Sequence, residues 1–148
     1  MAESSTPATR VAPANRPGPM RLTDALQYRL PLAGVVSILH RASGALMLVL
    51  LPFVIWMFDT SVTSEVSFDV FASAFSSGLG VFPGWFVKLV ALALIWAYLH
   101  HFIAGVRHLY MDATHSVTKE FGRQSAVTTL VLSIALTLAL GAKLFGLF

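Results

Sequence analysis

The chain has 148 residues, of which 56% are hydrophobic and only 11% charged, with a net charge of +3 and a pI near 9.7. A soluble domain carries roughly a quarter charged residues, so this composition argues against a water-facing fold and for an all-α integral membrane protein. The absence of cysteine excludes disulfides, a thiolate nucleophile and a cysteine-held metal or iron–sulfur centre in this chain.

In chain order, residues 1–20 are rich in Ala, Pro, Ser and Thr and lack an apolar stretch followed by a cleavage pattern, so they read as a flexible tail and not a signal peptide. Residues 21–148 read as a single membrane anchor. Three uncharged apolar runs follow, Ala42 to Phe58, Leu89 to Val106 and Ser125 to Ala142. Each has about 17–18 residues, enough for a helix of roughly 26–27 Å, close to the hydrocarbon thickness of a bilayer. Backbone groups in lipid must pair internally, which makes each run a helix. With their flanks the expected spans are about 32–58, 84–110 and 124–146. The first starts near Pro31 or Leu32, and Pro52 lies inside it as a kink site. Between the first two spans, Phe68, Phe71 and Phe75 suggest a short interfacial helix. The third span, without aromatics, reads as a plain lipid-facing or packing helix, with Gly141 and Gly146 near its end.

The basic residues set an orientation. Arg10, Arg16, Arg21, Arg29 and Arg41 precede or open the first span, and Arg107, Lys119 and Arg123 lie between the second and third. The connection between the first and second holds Lys88 against Asp59, Glu65 and Asp69. The positive-inside rule then puts the N-terminus in the cytoplasm and the C-terminus outside it. This topology accounts for the basic pI without nucleic acid as a partner.

The same rule gathers the unusual polar residues at one side of the membrane: Ser37, His40 and Arg41 on the first span, His100, His101, Arg107, His108 and Asp112 on the second. Ionisable residues at membrane depth are costly and mark candidate sites. His101 and His108 share a helix face but lie about 10 Å apart along the axis, so they cannot grip one iron between them. A haem would take one axial ligand from this helix and the other from elsewhere, with Gly105 leaving room for a flat macrocycle. Each histidine also has a plainer reading as a hydrogen-bonded packing residue. Ser37 and Arg41, four apart, share a face and offer a hydroxyl and a fixed charge to a quinone carbonyl; their plainer reading is a packing hydroxyl and a boundary anchor.

Two stretches carry a resemblance. Ser37-Ile-Leu-His-Arg-Ala-Ser-Gly44, following Tyr28-Arg-Leu-Pro31, matches S-x-x-H-R-x-[ST]-G, and His101-Phe-Ile-Ala-Gly-Val-Arg-His-Leu-Tyr-Met-Asp112 matches H-x-x-x-G-[IV]-R-H-x-x-x-D. Together they resemble the cytochrome b membrane anchor of succinate dehydrogenase, respiratory complex II. The resemblance covers roughly Arg21 to Phe148. It implies that His101 is the axial ligand to haem b, that Ser37 and Arg41 line the ubiquinone site, and that His40, Arg41 and His108 lie near the haem propionates. His100 has no clear counterpart. It further implies three partners: a second small anchor subunit that shares the haem and the quinone site, an iron–sulfur subunit and an FAD flavoprotein. The setting would be a bacterial inner membrane and a hetero-oligomeric helical bundle, with electrons passing from the succinate-oxidising subunits of this tricarboxylic acid cycle complex to ubiquinone. A fumarate reductase anchor is the neighbouring alternative; a non-redox scaffold or transporter component is the distant one, and no internal repeat supports a transporter.

Overall fold

The computed structural model describes residues 21, 23 and 29–147, so the tail expected over residues 1–20, and Tyr28, lie outside the described residues. The described chain is helical: α1 Leu32–Val49, α2 Leu51–Val62, α3 Glu65–Ser76, α4 Gly84–Thr114 and α5 Lys119–Leu144. Three of these, α1, α4 and α5, are long and apolar enough to cross a membrane.

The first span is α1 and α2 in series. It opens at Leu32 behind an extended Pro31 and is interrupted at Leu50, with Pro52 in the first turn of α2. Proline has no N–H to offer the carbonyl four residues back, so the interruption falls where the sequence puts it. The ladder resumes at once, with Leu50 N donating to Leu46 O and Val54 N to Leu50 O, both at 3.0 Å. Helix α2 runs on to Val62, beyond the expected Phe58, because Thr60, Ser61 and Thr63 bond back to carbonyls in the preceding turn and keep the last turn closed.

The expected short helix is α3, started by a reciprocal Ser64–Ser67 capping box. Its Phe68, Phe71 and Phe75 form a chain of ring contacts. A turn at Gly78, with φ of 106°, sends the chain into α4. A Cβ at Gly78 would collide with the Phe82 carbonyl, so both the backbone angle and the space require glycine.

Helix α4 has 31 residues and ends at Thr114, four beyond the expected 110, where His115 takes a left-handed conformation with φ of 53°. Helix α5 begins at Lys119 and not near 124, because Thr118 caps it through Phe121 N at 3.2 Å. Both extensions bring the charged ends of the helices together beyond the apolar runs.

Helix α4 packs against α1 on one side and α5 on the other. The buried centre is made of small residues: Val36, Ala104 and Ala126 are fully buried together, edged by Ala33 and Leu130. Helix association in lipid gains little from burying apolar surface and depends on close packing of small residues, which these provide. Large apolar side chains point outward instead, with Leu48, Val131 and Leu138 all more than 60% exposed. The third span packs against its neighbours along one face. Its inner face is Ala126, Thr129, Ser133, Thr137 and Gly141, a small and partly polar stripe at helical spacing.

Candidate functional site

The site is built where α1 and α4 meet. On a helix turning about 100° per residue, His101, Gly105 and His108 fall on one side of α4, and His100, Ala104 and Arg107 on another. The first side faces α1. His101 Nδ1 lies 3.0 Å from the His40 carbonyl and 3.3 Å from Ser43 Oγ, while Ser43 Oγ donates to that same carbonyl at 2.8 Å. A carbonyl oxygen only accepts, so Nδ1 carries a proton, and in the neutral ring Nε2 keeps its lone pair. Nε2 has no hydrogen-bond partner among the described residues. That is the tautomer of an imidazole ready to ligate a metal, with the other nitrogen held by a backbone carbonyl.

The ring is also held by its surroundings. The His40 imidazole stacks on it with centroids 4.1 Å apart, and His108 tilts against His40 at 5.2 Å. At Gly44 a Cβ would come within 3.0 Å of His101 Cε1, so a side chain there would press on the ring. The opening expected at Gly105 is taken up within this chain: the atom nearest a Cβ built there is His40 Nε2, at 3.7 Å. His40, His101 and His108 thus form one row of rings. No group of three or more His, Asp or Glu with metal-holding geometry occurs among the described residues.

Ser37 and Arg41 lie one turn apart on α1 but outside this row. Arg41 is exposed and Ser37 half-buried. Serines 43, 61, 67, 73, 76, 125 and 133 each donate to a carbonyl three residues back, whereas Ser37 has no side-chain partner among the described residues, and neither has Arg41.

The other side of α4 faces α5. His100 is fully buried, its Nδ1 3.2 Å from Ser133 Oγ and its ring stacked on Trp96 at 5.5 Å. Ser133 Oγ donates to the Leu130 carbonyl, which leaves it to accept from Nδ1. Nε2 is buried without a hydrogen bond of good geometry, and the Val36 backbone of α1 also lies against the ring. Arg107, 8% exposed, donates from Nε to Ser125 Oγ at 2.9 Å and from Nη2 to the Gly122 carbonyl at 3.3 Å. It belongs to the α5 side and is separated from the histidine row. Sequence reasoning gives Ser43 only as the Ser/Thr position of the first motif, without a role, and misses Ser133, whose signal is a small hydroxyl inside an apolar run.

A family model described as "Succinate dehydrogenase/Fumarate reductase transmembrane subunit" matches residues 15–140. The chain belongs to this family. It is 33% identical over 127 residues to the succinate dehydrogenase cytochrome b556 subunit of Coxiella burnetii, covering 85% of this chain and 94% of the relative. It is 30% identical over 109 residues to the protein of the same name from Paracoccus denitrificans, covering 74% of this chain and 78% of the relative. Both matched motifs fall inside the family match, and the three spans agree with a transmembrane subunit that crosses the membrane several times. As in these relatives, the place of the chain is as a cytochrome b-type membrane subunit of a succinate dehydrogenase.

Proposed function

We propose that this anchor gives His101 as one axial ligand to a haem b shared with a second small anchor subunit, and Ser37 and Arg41 to a ubiquinone site on the same side of the membrane. The observation that supports it best is the pairing of His101 Nδ1 with the His40 carbonyl, which fixes a proton on Nδ1, leaves the lone pair of the neutral ring on Nε2 and orients the ring. The names of the relatives, each a cytochrome b556 subunit of succinate dehydrogenase, point the same way. Bound haem would supply a one-electron store beside the quinone.

The remaining roles follow from the chain itself. His40 holds His101 through its backbone and stacks on it through its ring. With His108 it forms the polar part of the row, suited to haem propionates, and Arg41 is the next residue after it in sequence. Ser37 and Arg41 present a hydroxyl and a permanent charge with no partner among the described residues, which suits hydrogen bonding to a quinone carbonyl and support for negative charge as it is reduced. Succinate oxidation belongs to the flavoprotein, and the iron–sulfur subunit docks on the face that carries Arg41. In this reading that face is cytoplasmic, the C-terminus periplasmic, and the membrane the bacterial inner membrane. The relatives' names favour succinate over fumarate as the substrate of the complex.

A reduced-minus-oxidised absorbance spectrum of the purified complex tests this. A b-type signal that appears on adding succinate supports it. An intact complex without haem absorbance leaves the three-span anchor in place and removes the cytochrome.

A further inference from the structure

Arg107 is a buried cation without a counter-charge among the described residues. Two of its nitrogens are satisfied by neutral oxygens of α5, and no carboxylate pairs with it among the described residues. Its third nitrogen, Nη1, makes no hydrogen bond, yet it is not among the buried unpartnered polar atoms, of which His100 Nε2 is the one found in the described residues. Nη1 therefore reaches the surface. Arg107 lines a hollow of about 420 Å³ between α4 and α5, together with Tyr110, Gln124, Ser125 and Thr128 on the polar side and Ile103 and Val106 on the apolar side. A second hollow shares Gln124 and Thr128 and adds Lys119 and Arg123, with Glu120 as its one acid. The N-terminus of α5, with its unpaired N–H groups, lies at the same end.

Buried charges in proteins are normally paired, and a guanidinium presents a fork that matches phosphate oxygens. The hollow stands where the apolar runs end, at the depth of lipid headgroups. Its cationic end and apolar wall match the two parts of a phospholipid. We propose that the α4–α5 hollow binds the phosphate of an anionic phospholipid, with Arg107 contacting it from within and Lys119 and Arg123 at the rim. This lipid neutralises Arg107 and fixes the junction of the second and third spans. The site lies on the opposite side of α4 from the histidine row and does not depend on haem.

The complete complex, reconstituted in phosphatidylcholine vesicles, is titrated with spin-labelled phosphatidylglycerol and, separately, spin-labelled phosphatidylcholine. The wild type is expected to restrict the phosphatidylglycerol label preferentially, and Arg107→Gln to lower that preference by about fivefold, the scale expected for one basic residue at a lipid surface. Because Arg107→Gln also loses two hydrogen bonds, Thr128→Trp provides a second test. It fills the hollow from its exposed rim, leaves Arg107 and its bonds untouched, and is expected to lower the preference similarly. No preference in the wild type, or an unchanged preference in both variants, overturns the site. Displacement of the label by inorganic phosphate alone overturns the lipid assignment in favour of a soluble-anion site.

Discussion

His101 Nδ1 lies 3.0 Å from the backbone carbonyl of His40, 61 positions away on a different span. This contact sets the tautomer of His101 and attaches α4 to α1 at the depth of the histidine row. Its neighbour in sequence, His100, faces α5 and bonds to Ser133 at 3.2 Å. Two adjacent histidines thus serve two different interfaces.

From this division, His101→Ala is expected to abolish the low-spin haem b absorbance of the purified complex, and His100→Ala to retain it. The check is the reduced-minus-oxidised spectrum normalised to protein content. Haem retained in His101→Ala would exclude it as the ligand.

Gly44 is expected to tolerate a side chain poorly. A Cβ there would stand 3.0 Å from His101 Cε1, tighter than ordinary contact, while the adjoining Nδ1 is held by the His40 carbonyl. Gly44→Val should lower haem occupancy several-fold and shift the electron paramagnetic resonance signal of the remainder. A spectrum identical to wild type would show that the ring has freedom the packing does not suggest.

Ser133→Ala removes the acceptor for His100 Nδ1 and leaves both ring nitrogens buried without a hydrogen bond of good geometry. Interhelical hydrogen bonds in membrane proteins contribute about 0.6 kcal/mol on average, and an orphaned buried donor costs more than a bond never made, so a loss of about 1 kcal/mol is expected. His100→Leu, which removes the donor together with Nε2, is expected to be closer to neutral. Thermal denaturation midpoints of the solubilised complex measure both; Ser133→Ala matching wild type while His100→Leu is strongly destabilised would reverse the assignment of cost.

Arg41 is exposed and unpaired among the described residues, so Arg41→Ala should disturb the fold little. Ubiquinone reduction is expected to fall about 100-fold, the scale for losing one charge-stabilising donor, with succinate oxidation by a soluble dye acceptor nearly unchanged. Equal loss in both assays would indicate failed assembly instead of a quinone role.

An odd number of spans places the two termini on opposite sides of the membrane. A periplasm-active reporter fused after Phe148 is expected to be active and one fused before Met1 inactive. The reverse pattern would overturn the orientation drawn from Arg10, Arg16, Arg21, Arg29, Arg41, Arg107, Lys119 and Arg123.

The three spans and the interruption at Pro52 were legible in the sequence because they depend on local properties: apolar length against bilayer thickness, and a missing N–H. The paired motifs around His40 and His101 likewise made the family legible, since the family is defined by which residues stand at which spacing. Helix ends were less so. Polar caps such as Thr118, and back-bonding hydroxyls such as Thr60, carry α2 and α5 past the apolar boundary that composition marks. What only the tertiary structure decided is which face of each helix meets which neighbour. Spacing puts His101 and His108 together and His100 apart, but it does not say that the first pair turns to His40 or that His100 turns to Ser133. Nor does it show that Arg107 leaves the histidine row for Gly122 and Ser125. Those pairings depend on the rotation and separation of whole helices. In lipid these are set by how closely small residues such as Ala104 and Ala126 allow the backbones to approach, a property of three helices together that no single stretch of sequence contains.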